Sequence, residues 1–285
     1  MKNIYGTIGY TLLEHDVDKN KVIVLADMHD TLPSCNMKTN IADWFKSKFG
    51  SSEILLEEVP RENVKLKELW EHSPHTQQLK NLYLNNPKII NAVDIRPFLI
   101  PFSWEVLEEK EYDKDYDIKL RKYLSGINTF FCLEDMTLKQ KLKDKYTYEN
   151  MTDTNLGTHY LSLKRSFYRY IKKYMILLNM SMYMIKRYDA SILEEINGIL
   201  NSIMEWYICA KIELKKHRPI IIHAGLFHSD SVITWLTTLY NYNIIKQEGV
   251  NTIEESETKN NINGCIHINN NVDSMFSSEN SEINL

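Results

Sequence analysis

Two short β-branched runs that lie far apart in the chain, KVIVL at 21–25 and III at 220–222, each lead into a histidine motif. The first run is followed by Ala26-Asp27-Met28-His29, the second by His223-Ala224-Gly225-Leu226-Phe227-His228. Neither run is long enough for a helix, and each is apolar throughout, so both read as strands covered on two faces. Strands of that kind belong to sheets flanked by helices, which restricts the chain to the α/β class. Further runs fit the same plan: EILL at 53–56 ends at Glu57-Glu58, and KIINAV at 88–93 ends at Asp94-Ile95-Arg96-Pro97. Residues 41–49 carry Trp44, Phe45 and Phe49 at helical spacing and stop before Gly50, a suitable C-cap. The alternation predicts a mainly parallel sheet flanked by helices, with one more strand at 243–246.

Between the third and the last long strand the pattern changes. Residues 104–155 are rich in charge and support only irregular helices, whereas 161–188 and 191–217 read as two long helices separated at Asp189. Arg218-Pro219 stops the second of them. The expectation is one α/β domain over 1–249, with 104–217 as a helical insertion, and a helix at 231–240 capped by Ser229 or Asp230. Residues 250–285 are mostly Asn, Ser, Glu and Asp and are expected to be a disordered tail.

The net charge of −4 gives no general attraction to nucleic acid or anionic membrane. The lysines and arginines between 164 and 187 flank apolar stretches and read as a solvated helix face. The most apolar helical stretch, 174–185, contains Asn179 and Ser181 and falls short of the roughly 20 apolar residues that a membrane span requires. The four cysteines, at 35, 132, 209 and 265, contain no C-x-x-C pair and read as reduced thiols. Together with the absence of a basic-then-apolar start, they point to a cytoplasmic, reducing setting. Neither G-x-x-x-x-G-K nor G-x-G-x-x-G occurs, so no phosphate-cradling loop of those kinds is expected.

In open α/β sheets, ligands bind beyond the carboxyl ends of the parallel strands. Asp27 and His29 follow the first strand, Glu57 and Glu58 the second, Asp94 and Arg96 the third, and His228 the last. Two imidazoles and a carboxylate suit a divalent ion such as manganese, cobalt or zinc, held by His29, Glu57 and His228 with a position left for water. The same three side chains can also act without metal, with His29 as general base and Glu57 orienting it. Either arrangement favours hydrolysis of a small-molecule or peptide substrate, with Asp27, Asp94 and Arg96 at the substrate. Each residue also has a structural reading. A histidine after a strand is often a cap, one of Glu57 and Glu58 can cap a helix near Arg61 while Glu58 faces solvent, and Asp94 with Arg96 can be an ion pair at the Pro97 turn. His223 can simply finish its strand, and His72, His75 and His159 show no partner pattern.

The order of motifs, strand-[G/A]-x-x-H, strand-Glu, Asp-x-Arg and strand-G-x-x-H, resembles the superfamily of TIKI/TraB, ChaN-like and erythromycin esterase-like proteins. It is carried by Ala26 to His29, Leu55-Leu56-Glu57, Asp94-Ile95-Arg96 and Gly225 to His228, within about residues 20 to 240. The resemblance implies an α/β fold with a helical insertion and a site formed by His29, Glu57 and His228 and supported by Asp94 and Arg96. Its members include metal-dependent proteases, cofactor-free esterases and haem-iron binders, so it implies no single reaction. The chain departs from the pattern at Ala26, where glycine is usual, and at Asp27, where several members have glutamate. A lost glycine crowds a turn, which leaves open a binding or scaffold protein that keeps the fold without the chemistry. VIVLADMHD at 22–30 also resembles the opening motif of calcineurin-like phosphoesterases, although the later G-D and G-N-H elements of that family are missing.

Overall fold

The run KVIVL forms most of β3 (Lys21–Asp27), and the run III forms the start of β7 (Ile220–Gly225). In the computed structural model of the chain these strands are parallel neighbours, with Val22 opposite Ile220 and Asp27 opposite Gly225. Residues 2–28, 32–33, 35, 39–60, 73–99, 116–131, 155–178, 182–259 and 261–277 are described below. They divide between two compact units: one of 1–64, 70–94 and 211–285, the other of 65–69 and 95–210.

The first unit is built on β3. Its six-stranded sheet runs β6-β5-β7-β3-β2-β8, with β5 at Glu53–Leu56, β6 at Ile90–Ala92, β2 at Gly9–His15 and β8 at Tyr242–Gly249. The ladders among β6, β5, β7 and β3 are parallel, whereas β2 is antiparallel to both β3 and β8. The sheet is therefore mixed, which corrects the expectation of a mainly parallel one. The cause is local: β2 and β3 are joined by a turn at 16–18, too short for the crossover that parallel neighbours need. His15 N–H bonds Asn20 O at 2.9 Å to close it, and Lys19 takes a left-handed φ of 57°.

Successive residues of a strand alternate between faces. Ile23 and Leu25 of β3, Ile221 of β7 and Ile54 and Leu56 of β5 enter a core with Trp44 and Phe45 of α1 (Ile41–Lys46) and Leu79, Leu82 and Tyr83 of α2 (Pro74–Asn85). Val22, Val24, Ile220 and Ile222 turn the other way and are also buried, and α7 (Leu226–Leu239) packs against β3, β7 and β8. Helix α1 ends before the predicted residue 49. The Ser47 hydroxyl bonds Trp44 O at 2.6 Å, and the chain then turns through Gly50 at φ 81°. Helix α7 starts at Leu226, with Gly225 as N-cap, five residues before the predicted 231. Ser229 and Asp230 lie inside it: Ser229 bonds back to Ala224 O at 2.9 Å, and Asp230 accepts the Ile253 N–H at 3.2 Å.

The supposed tail folds. A second sheet, β4-β1-β9, pairs β1 (Lys2–Tyr5) in parallel with β4 (Thr39–Asn40) and antiparallel with β9 (Cys265–Ile268). Ile266, Ile268, Val272 and Phe276 are buried in the same core as Trp44. The short helices α8 (Ile253–Thr258) and α9 (Asn270–Met275) are capped by the side chains of Thr252 and Asn269. Alternate burial at Ile266 and Ile268 supplies the apolar anchorage that the Asn-rich composition concealed; residues 278–285 lie outside those described. The cysteine reading is also corrected. Cys35 and Cys265 form a disulfide with Cα atoms 6.3 Å apart, within the usual ~4.4–6.8 Å. At a sequence separation of 230, no spacing rule could pair them, and the inference of a reducing compartment loses its premise. Cys209 is buried, and Cys132 lies outside the described residues.

The second unit holds α3 (Arg96–Leu99), α4 (Tyr116–Phe131), α5 (Asn155–Leu178) and most of α6 (Met182–Leu214). Asp189, read as a break, lies within α6. Trp206, near the end of α6, donates to Leu156 O at 3.1 Å at the start of α5, so the two helices run antiparallel. Phe130, Phe131, Tyr160, Phe167 and Trp206 form an aromatic cluster with neighbouring ring centroids 5.1–5.7 Å apart. Among the described residues, no helix is long and apolar enough to cross a membrane.

Candidate active site at the carboxyl ends of β3, β5 and β7

Residues on three adjacent strands end at one edge of the sheet. Glu57 follows β5, and its N–H bonds His223 O at 3.0 Å, which continues the β5–β7 ladder one step past the strand. Its side chain then reaches the start of α7. Oε2 accepts the Gly225 N–H at 2.7 Å, and Oε1 lies 3.5 Å from Nε2 of His228. A carboxylate at this point is favoured by the partial positive charge of the helix N-terminus. His228, expected in a loop, stands in the first turn of α7, so its position is set by the helix. Glu57 and His228 are both 7% exposed.

On the other side of β7, Asp27 closes β3 directly opposite Gly225. Neighbouring strands are ~4.8 Å apart, which places the Asp27 and Glu57 backbones roughly 10 Å apart across β7. Asp27 Oδ1 lies 2.7 Å from Nε2 of His75, in the first turn of α2, and both side chains are sealed from solvent. The hydroxyl of Ser73 lies 3.1 Å from Nδ1 and 3.4 Å from Nε2 of the same ring, over its face. The ring is packed edge-on by Tyr5 at 6.1 Å. Gly6, at φ 104°, lies so close that a Cβ there would come within 3.2 Å of the His75 Cβ.

The sequence-predicted residues therefore separate. Glu57 and His228 are brought together, and Asp27 ends the neighbouring strand on the same edge. His29 lies outside the described residues, so the set His29–Glu57–His228 is placed only in its last two members. Glu58 is buried at 4% exposure, which corrects its solvent-facing reading, and its carbonyl accepts the Asp94 N–H at 3.0 Å. Asp94 is fully buried. Arg96 belongs to the second unit, where its guanidinium donates to Asn201 Oδ1 at 2.8 Å. His223 is structural: Nε2 meets Gly6 O at 3.0 Å and the ring packs edge-on against Phe45 at 6.1 Å. Ala26 sits within β3, where no turn exists for its methyl to crowd, and its carbonyl accepts from Ile8 N at 2.9 Å and the Thr7 hydroxyl at 2.6 Å.

Ser73 and His75 were missed. Ser73-Pro74 is a readable helix start, with proline at the first helical position, and it places His75 in the first turn. The partner Asp27 is tertiary and leaves no trace in spacing.

Glu57 Oε1 and His228 Nε2 also suit adjacent ligands of one ion. Metal–ligand bonds of ~2.1 Å in a tetrahedron set neighbouring donors about 3.4 Å apart, close to the 3.5 Å observed. Among the described residues, no group of three His, Cys, Asp or Glu side chains is arranged to hold a metal. Comparison with family models, with curated proteins and with solved structures finds no match to this chain.

Proposed function

We propose that the chain is a hydrolase acting on a small-molecule or peptide substrate, with Glu57 and His228 as its water-activating pair. The observation that carries this reading is their meeting at the carboxyl end of β5 and β7, on the rigid start of α7. His228 accepts the proton of an attacking water, and Glu57 stabilises the imidazolium that forms. The Gly225 N–H on Oε2 fixes the carboxylate so that Oε1 faces the ring. His29, two residues past β3, is proposed as the third member, with Asp27 beside it. In the metal-dependent form of this reading, Glu57 and His228 would hold a manganese, cobalt or zinc ion together with His29. That ion would bring the pKa of a bound water toward about 7. The resemblance to TIKI/TraB, ChaN-like and erythromycin esterase-like proteins supports the reading through the same residues, and the unit of 95–210 is proposed as their helical insertion. A calcineurin-like phosphoesterase fits less well, because the G-D and G-N-H elements that would supply its further metal ligands do not occur in the sequence.

A second reading, a binding protein that keeps the fold without chemistry, is favoured by one contact: Glu57 already serves a structural purpose in tying β5 to Gly225. The test is hydrolysis of generic ester, peptide and phosphoester substrates by wild type, Glu57→Gln and His228→Ala, each with and without chelator. General acid–base pairs contribute ~10²–10⁴-fold, and a loss of at least 10²-fold is expected in both variants. Loss on chelation selects the metal-dependent form. Hydrolysis unchanged by both substitutions, or absent from the wild type, refutes the proposal and leaves the binding reading.

A further inference from the structure

We propose that α5 presents a docking face for an anionic lipid surface, on which the chain rests peripherally through Leu161, Lys164, Arg165, Tyr168 and Arg169. The face uses none of the residues at the sheet edge, so it goes beyond the function proposed above and does not depend on it.

The first observation is in the distribution of charge. No aspartate or glutamate occurs from 154 to 188, the longest such stretch in the chain, although these residues number 38 in 285. The same stretch holds seven lysines and arginines, from Lys164 to Arg187. Formal charge is −4 for the whole chain and +7 here, so the remainder carries −11. A pull toward anions is therefore local to this stretch and invisible in the total.

The second observation is that α5 carries two apolar stripes where packing needs one. Tyr160 and Phe167, seven residues apart, face inward and join the aromatic cluster around Phe131. Leu161 and Tyr168 repeat that spacing one residue on, and they stay 50% and 37% exposed. Each helical residue advances by roughly 100°, so these two form a second stripe turned to solvent. Lys164 lies on one side of it, with its ammonium 5.9 Å from the Tyr168 ring centre, and Arg165 and Arg169 lie on the other.

The third observation is that the cations have no counter-charge. Among the described residues, Lys164, Arg165 and Arg169 make no ion pair. Arg165 and Arg169 are both exposed and stand four residues apart, where like charges destabilise a helix. A face built only for water interleaves both signs.

An apolar stripe between two rows of cations fits the boundary of headgroups and acyl chains. Leu161 and the Tyr168 ring enter that boundary, while the long basic side chains extend to phosphate and carboxylate oxygens. A nucleic acid would answer the cations but leave Leu161 in water. The contact lies in the plane of the surface, since no helix among the described residues is long and apolar enough to cross.

The experiment is co-sedimentation of the full chain with phosphatidylcholine vesicles, with and without phosphatidylserine, at low and at high ionic strength. Binding is expected on the anionic vesicles alone and only at low salt. Each cation near such a surface contributes about fivefold in affinity, so Arg165→Gln with Arg169→Gln should bind roughly 25-fold more weakly. Leu161→Ser should cost about fivefold at unchanged charge. Lys46→Gln with Arg218→Gln removes two exposed cations from the other unit and should bind as the wild type does. All five positions are exposed, and equal helical circular dichroism establishes that the variants fold. No binding to anionic vesicles, equal binding to neutral ones, or a control pair that loses as much as the α5 pair overturns the proposal. So does a Leu161→Ser variant that binds unchanged. Retention of RNA or duplex DNA without vesicle binding would assign the cations to nucleic acid and overturn it as well.

Discussion

Replacing Asp273 by asparagine should unlatch the C-terminal segment from the core. Lys48 is 1% exposed, and its ammonium is held by Asp273 Oδ1 at 2.6 Å, Asp273 O at 2.9 Å and the Ser277 hydroxyl at 2.8 Å, above the Trp44 ring. Asp273 also accepts from Lys2 Nζ and Trp44 Nε1, each at 2.8 Å. Burial alone would raise the Asp273 pKa, but Lys2, Lys48 and Trp44 together hold it down at about 2. The ordinary value is near 3.9, so the native contacts favour the ionised form by roughly 2–3 kcal/mol. That stability is complete above pH ~4 and is lost as pH falls through about 2. Asp273→Asn should cost more, roughly 3–5 kcal/mol, because it leaves a buried ammonium without its counter-charge. Urea unfolding of wild type, Asp273→Asn, Lys48→Met and the double variant measures this. The double variant should recover much of the loss, since the uncompensated charge is gone. A single-variant cost below ~0.5 kcal/mol, the level of an ordinary surface change, would refute the reasoning.

Two further predictions concern His159 and the cysteines. Burial holds the imidazole of His159 down to about 4, so it is neutral in the fold, and the folded pKa lies below the unfolded ~6.5. Its contribution, up to about 3 kcal/mol, is present above pH 6.5 and lost as pH falls toward 4; helical circular dichroism during melts at pH 7 and pH 5 should show the difference. Cys35 and Cys265 should resist alkylation in denaturant until a reductant is added, and mass spectrometry showing both alkylated without reduction would remove the disulfide.

The strands that carry the site were legible because they are buried on both faces, which makes KVIVL, EILL and III apolar without interruption. Of the strands that make the sheet mixed, β8 was legible only as 243–246 and without its direction, and β2 was not legible at all. β8 is an edge strand whose Ile244 and Ile245 stay exposed, and β2 joins β3 through a turn with no glycine to announce it. The Glu57–His228 pairing could be read from strand ends alone, since adjacent parallel strands gather whatever follows them. The Asp27–His75 contact could not, because α2 enters the edge from the side and nothing in the order of residues aims it there. The folded tail was hidden by composition: Ile266, Ile268, Val272 and Phe276 are few among many polar residues, yet each is buried.

A double-mutant cycle in kcat/KM at Glu57 and His228, on whichever substrate the panel yields, tests most directly whether the two work as one unit. Groups that act together are strongly non-additive, so Glu57→Gln with His228→Ala should lose no more than the worse single variant. Losses that multiply, or a double variant as active as the wild type, would contradict the account.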